Sequence, residues 1–165
     1  IYDVRIVIMK YIKHFVNSYG EHTWDFTYYY HEVVPKILKH RDELSPILSS
    51  DLNGIDNREK TLNKGIIKSI YYDLENDRIS LKIEQRYGKD LIEIIYSDII
   101  NVDINCCILP ITIMAHEVDV TPDDNVIHSL FLLGDTKIVF ECKKIELKNS
   151  PLEKVTSQAL SYYVG

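Results

Sequence analysis

Apolar and polar positions along the chain change rhythm near Gly65. Before it, apolar residues recur at helical steps of three and four. Val4, Ile8, Tyr11, Ile12, Phe15 and Tyr19 follow that spacing, and Gly20 stands where a helix takes a C′ glycine, so the pattern predicts a helix over about 4–19. Tyr2, Val4, Ile6 and Ile8 also alternate, which leaves a strand at the very start as the alternative reading. Thr23, with Asp25 two residues on, predicts the cap and first turn of a second helix. Its apolar stripe is Phe26, Tyr30, Val33, Val34, Ile37, Leu38 and Leu44, and Pro35 requires a kink or a split within it. Ser45-Pro46 resembles an N-cap with proline at the first helical position, leading into a short helical turn over 47–52. Residues 53–64 are polar and read as a connection.

From Gly65 the period becomes two, which predicts strands near 65–73, 78–87, 90–96, 108–120, 126–133 and 137–147. Ile79, Leu81 and Ile83 alternate with Ser80, Lys82 and Glu84, as a sheet with one wet face requires. Glu75-Asn76-Asp77, Tyr87-Gly88-Lys89, Pro122-Asp123-Asp124 and Gly134-Asp135 supply turn residues, and such short connections imply an antiparallel meander. Ser150-Pro151-Leu152-Glu153 is a capping box that predicts a short last helix over about 150–163. The expected fold is α+β, with N-terminal helices packed on one antiparallel sheet of about five or six strands and a short C-terminal helix. A chain of 165 residues fits one domain, mainly helical over 1–52 and a sheet over 65–147. Met9-Lys10-Tyr11 also reads naturally as a start.

Composition narrows the setting. No apolar run reaches the roughly 18 residues of a membrane span, and no secretory signal opens the chain. Three cysteines, two of them the adjacent Cys106 and Cys107, read with Cys142 as reduced thiols of a cytoplasmic protein. The net charge of −6 lies wholly beyond residue 64. Residues 90–136 hold nine acids (Asp90, Glu93, Asp98, Asp103, Glu117, Asp119, Asp123, Asp124, Asp135) and no lysine or arginine. One-signed charge of this kind repels nucleic acids and anionic membranes and favours a basic partner. Solubility of turns and strand ends accounts for the same residues without any partner.

Chemistry-bearing residues are sparse. His14, His22, His31 and His40 stand eight or nine apart, not the three or four that place two ligands on one helix face. With a hairpin tip at Pro122-Asp123, residue 117 falls opposite 128, which sets His128 beside Glu117 and His116 as a candidate polar site. Solvent-facing hairpin residues account for that trio more simply than a metal does, and no metal or cofactor is expected. Asp119, Asp123, Asp124 and Asn125 lack the order of an EF-hand loop. No nucleophile elbow, P-loop, Rossmann glycine pattern or zincin motif is present. Tyrosine is abundant at twelve residues, and Tyr28-Tyr29-Tyr30 cannot all face one core from a helix, so exposure of part of this run as a binding surface and packing between layers both stay open.

Three segments carry a resemblance: Tyr30-His31-Glu32-Val33-Val34-Pro35-Lys36-Ile37-Leu38, then Leu62-Asn63-Lys64-Gly65-Ile66-Ile67-Lys68-Ser69-Ile70, then Val126 to Leu147 with its Gly134-Asp135 turn. Their order resembles small bacterial helix-plus-sheet proteins, including immunity proteins that neutralise secreted toxins; where such proteins read Leu-His-Asp, this chain has Leu62-Asn63-Lys64. No functional residue is carried over from the resemblance; the one-signed charge, the tyrosine content and the lack of catalytic motifs point to a non-enzymatic protein-binding domain, such as an immunity-type protein. The residues assigned to partner binding are Asp98, Asp103, Glu117, Asp119, Asp123, Asp124, Tyr28 and Tyr29, and the partner is a basic protein. The alternative is a small-molecule binder or hydrolase with its site at His116, Glu117 and His128. The oligomeric state is left open.

Overall fold

The computed structural model describes residues 9–87, 90–105 and 108–151. The N-terminal stretch is not the expected pair of helices. It begins with a hairpin, β1 (Lys13–Val16) and β2 (His22–Asp25), that pairs His14 with Trp24 and Val16 with His22. Asn17 sets the turn: its side-chain oxygen accepts the amides of Tyr19 and Glu21, both at 2.9 Å, and Gly20 supplies the left-handed residue at φ +79°. Gly20 therefore closes a hairpin and not a helix. The alternative strand over 2–8 lies outside the described residues.

Helix follows only from Thr27. A π-helical turn, Tyr29–Val33, leads into α1 (Val34–His40). Pro35 has no N–H to give the carbonyl one turn back, and the helix absorbs this by widening, with the Val34 amide bonding to the Tyr29 carbonyl. Thr23 lies within β2 and caps nothing. A 3₁₀ turn, Ser50–Asn53, stands in place of the turn of helix expected over 47–52, and Ser49, not Ser45, supplies its cap by accepting the Asp51 amide; two further 3₁₀ turns, Asp42–Leu44 and Arg58–Lys60, lie to either side.

The periodic half forms six strands near the expected places, one of them reaching Ile104 beyond the expected end at 96, and it closes differently. β3 (Ile66–Asp73), β4 (Arg78–Glu84) and β5 (Asp90–Ile104) form one antiparallel meander; β6 (Ile111–Val120), β7 (Val126–Leu132) and β8 (Thr136–Pro151) form another. β5 pairs with β8 and β3 with β6, giving a closed barrel in the order β3-β4-β5-β8-β7-β6. This mostly β architecture overturns the expectation of helices packed on one face of an open sheet. The long β8 runs through Ser150 to Pro151, and the rest of the proposed last helix lies outside the described residues.

Alternation fills the barrel. Ile79, Leu81 and Ile83 from β4 meet Ile92, Ile94 and Tyr96 from β5, and Leu130, Ile138 and Phe140 complete a fully enclosed interior. Leu44, Ile47, Leu48, Leu52 and Leu62 continue the same core outside the sheet. The seam between β3 and β6 is short, with only Ile66–Thr112 and Ile67–Ile111 in register. Gly65 sits at that seam because a Cβ there would lie 2.9 Å from the Leu62 carbonyl oxygen. Beyond the seam, side chains replace a strand. Asn53 accepts from the His116 amide at 3.1 Å and donates to the His116 carbonyl at 2.9 Å, and the Tyr29 hydroxyl accepts from the Val118 amide at 2.7 Å. An edge that would otherwise invite another chain is thereby covered. Among the described residues no helix is long and apolar enough to cross a membrane.

Candidate functional site

Two places hold the residues singled out by sequence, one sealed inside the barrel and one open outside it. Their separation follows from register. The β6–β7 loop is held by Thr121, whose amide bonds to the Asn125 carbonyl at 2.8 Å, and this centres the hairpin half a residue later than expected. His128 lies opposite Val118 rather than Glu117. Side chains alternate, so the slip sends Glu117 to the outer face while His116 and His128 point inward.

Inside, His116 Nδ1 and His128 Nε2 are 3.1 Å apart, and His128 Nδ1 is 2.7 Å from the Tyr96 hydroxyl. Tyr96 stacks on Phe140 with centroids 4.1 Å apart. Both histidines are 0 % exposed. Burial drives both imidazoles below the usual histidine range, His116 to about 3, and holds the Tyr96 phenol well above its ordinary value. The thread is neutral: a run of hydrogen bonds from Tyr96 through His128 to His116, ending at His116 Nε2, which has no partner. Neither ring reaches solvent. Among the described residues no three His, Cys, Asp or Glu side chains converge as a metal site.

Outside, Glu117 binds the chain to itself. Its carboxylate accepts the amides of Lys10, Tyr11 and Ile12 at 2.8, 3.1 and 3.2 Å. Burial nevertheless keeps this carboxyl above its ordinary range, against the pull of those three amides. Asp119 holds the same segment through Lys10 Nζ at 2.5 Å and the Tyr11 hydroxyl at 3.1 Å.

The tethered segment forms one wall of an open cleft of about 470 Å³. Tyr11 and Tyr28 stand on that side with centroids 6.4 Å apart, Val33 and Ile37 of the helix form the floor, and Val120, Asp119 and Asp124 close it from the β6–β7 hairpin. Arg41 at the end of α1 ties the rim together: its guanidinium meets Glu43 at 2.5 Å and Asp124 at 2.9 Å, and these carboxylates raise its already high pKa. Glu32 and Asp123 are exposed and make no ion pair among the described residues.

The residues assigned to partner binding thus divide. Tyr28, Asp119 and Asp124 share the cleft, with Asp123 beside it in the loop. Tyr29 is wholly buried and Glu117 nearly so. Asp98 and Asp103 lie on β5; Asp103 belongs to the outward row Asp103–Val139–Ser129–Glu117, about 14 Å from Glu117 at three strand spacings. Sequence reasoning missed the cleft's other wall, because nothing periodic announces that residues 9–12 run along β6. It also missed a cluster on the first hairpin, where His14 lies flat against Trp24 at 4.0 Å and His14 Nε2 meets His22 Nδ1 at 2.7 Å. Reading Asn17-Ser18-Tyr19-Gly20 as a turn would have brought those two histidines together.

Comparison with family models finds no match to this sequence, and comparison with curated proteins finds none either. Among solved structures, the chain is similar to one described as an uncharacterized protein from Neisseria gonorrhoeae, at 12% identity and a TM-score of 0.40, over 52% of this chain and 91% of that one.

Proposed function

We propose that the protein is a non-enzymatic binding protein of the immunity type, taking a basic segment of a partner protein into the cleft beside α1. The observation that carries this reading is the meeting of Tyr28, Asp119 and Asp124 in one open concavity with an apolar floor. A tyrosine over an apolar base, rimmed by polar groups, is the anatomy of an interface anchor site. Glu32 lines the cleft and Asp123 stands beside it, offering carboxylates to an incoming lysine or arginine that must share the cleft with Lys36 and His40, and the overall charge of −6 steers a cationic partner toward the surface. The buried histidine thread supports the non-enzymatic side of the reading, since the most polar group of the interior is closed to solvent. Cys142 fits a reducing cytoplasm: it is a free, buried thiol that burial pushes up to about 12, and so unreactive.

The test is an NMR titration of the whole chain with a ten-residue lysine- and arginine-rich peptide carrying one leucine. Shifts should concentrate on Tyr28, Ile37, Asp119, Asp123 and Asp124, and Tyr28→Ala should weaken binding by about 1–2 kcal/mol without lowering the melting temperature. A glutamate-rich peptide of equal length serves as the comparison. Equal binding of both peptides, or shifts spread evenly over the barrel, would refute the reading.

A further inference from the structure

The β1–β2 hairpin carries a side-chain group that the cleft does not use. Register places His14 opposite Trp24 and Val16 opposite His22, so His14 and His22 are diagonal neighbours on one face. Their rings are nearly parallel, 12° apart with centroids at 4.8 Å, and His14 Nε2 approaches His22 Nδ1 to 2.7 Å. The Trp24 indole backs His14 and itself leans on Phe131 at 6.4 Å, so one ring of the pair has a fixed wall behind it. In front lies a depression of about 210 Å³ bordered also by Met114 and by Asp135 at the β7–β8 turn.

We propose that His14 and His22 form a binding site for a divalent transition-metal ion, copper(II) foremost. Proximity supplies the donors and ligand type selects the class. The 2.7 Å contact is a hydrogen bond between the two rings, and rotation of two side chains that both reach solvent breaks it and turns their lone pairs onto a shared ion. Imidazole suits copper, and copper(II) heads the affinity order of the divalent first-row ions. Binding requires the neutral ring, and partial burial together with the neighbouring His22 holds His14 below its usual range. The Asp135 carboxylate acts on His14 and supplies a negative field beside the ion. No third His, Cys, Asp or Glu converges there among the described residues, so water fills the remaining positions and the site is open to exchange.

Trp24 is the only tryptophan of the chain, and its stacking on His14 makes it a built-in reporter. The experiment titrates copper(II) chloride into the full chain in a non-coordinating buffer, following Trp24 emission and electron paramagnetic resonance. The expected result is quenching that saturates at one copper per chain, with a spectrum showing two nitrogen donors. His14→Ala and His22→Ala should each weaken binding roughly 10- to 100-fold, while His40→Ala, at an exposed histidine at the end of α1, should leave it unchanged. His22→Ala keeps the His14–Trp24 stack, so its emission change reports the ligand and not the stack. Unaltered copper affinity in both hairpin variants, a spectrum without two nitrogens, or no binding to the wild-type chain would overturn the proposal.

Discussion

Two histidine pairs occupy this molecule, and their environments give the same contact opposite consequences. His116 and His128 meet at 3.1 Å inside the barrel with no exposed atom, and His14 and His22 meet at 2.7 Å on a hairpin that faces solvent. The buried rings are locked neutral by the cost of charging them in a water-free interior, and the three ring nitrogens that have partners there count toward stability. The exposed rings have water as an alternative partner, so their mutual bond contributes little and their lone pairs stay available. Proximity of histidines alone does not mark a site; the cost of removing water from them decides which pair is structural and which is open to chemistry.

The sharpest way to break this contrast is to remove the middle of the buried thread. His128→Ala should destabilise the fold by about 3–5 kcal/mol, because it opens a cavity and leaves both the Tyr96 hydroxyl and His116 Nδ1 without partners. Urea denaturation at neutral pH measures it. Replacing the thread as a unit, with Tyr96→Phe, His116→Leu and His128→Leu together, should cost far less than the single change, since no orphaned polar group remains. A triple variant less stable than His128→Ala would show that the thread's hydrogen bonds, and not their satisfaction, hold the barrel.

Next in size is the cover over the edge of β6. Asn53→Ala removes both hydrogen bonds to the His116 backbone and one to the Tyr30 hydroxyl, and should cost about 2–3 kcal/mol. Hydrogen exchange at the His116 and Val118 amides should quicken while amides of β4 and β5 stay protected. Uniform loss of protection would mean that the seam and the edge open together.

The placement of Asn53 also shows where sequence reasoning stopped. Ile79, Leu81 and Ile83 declared an inward face because burial imposes a period of two, and all six strands of the barrel follow from that signal. Closure has no such period. It rests on two residue pairs, on Gly65, and on the side chains of Asn53 and Tyr29 standing in for a strand. The first hairpin failed for a different reason. Tyr11, Ile12 and Phe15 satisfy helical spacing, yet they are aromatic or β-branched and end at Asn17 and Gly20, whose turn chemistry outweighed the period. The candidate trio was half legible: His116 and His128 do meet, and a shift of one residue in register removed Glu117 to the other face.

Acid separates the pairs further. The buried histidines have folded pKa values below the unfolded value of about 6.5, so the unfolded chain takes up protons first as pH falls. Stability should then decline from about pH 6.5 downward, toward the folded value of about 3 for His116, by about 1.4 kcal/mol per pH unit for each ring that stays neutral. Glu117 acts with the opposite sign: its raised carboxyl pKa contributes stability in acid that is lost as pH rises through that value. Urea midpoints between pH 7 and 5 should show the histidine slope in the wild type and a flatter one in the triple variant. Equal slopes would mean that the interior rings are charged in the native state.

The smallest expected effect belongs to the exposed pair, and its smallness is what the comparison needs. His14→Ala takes away one imidazole contact that water readily replaces, so the change in stability should stay within about 0.5 kcal/mol. Trp24 emission should nevertheless shift, since the ring stacked at 4.0 Å is gone and solvent reaches the indole. A loss near that of His128→Ala would place His14 among the supports of the fold, because the hairpin would then owe its position on Phe131 to the stack. The two pairs would in that case differ in exposure but not in role, and openness to solvent would no longer mark the hairpin pair as free to bind an ion.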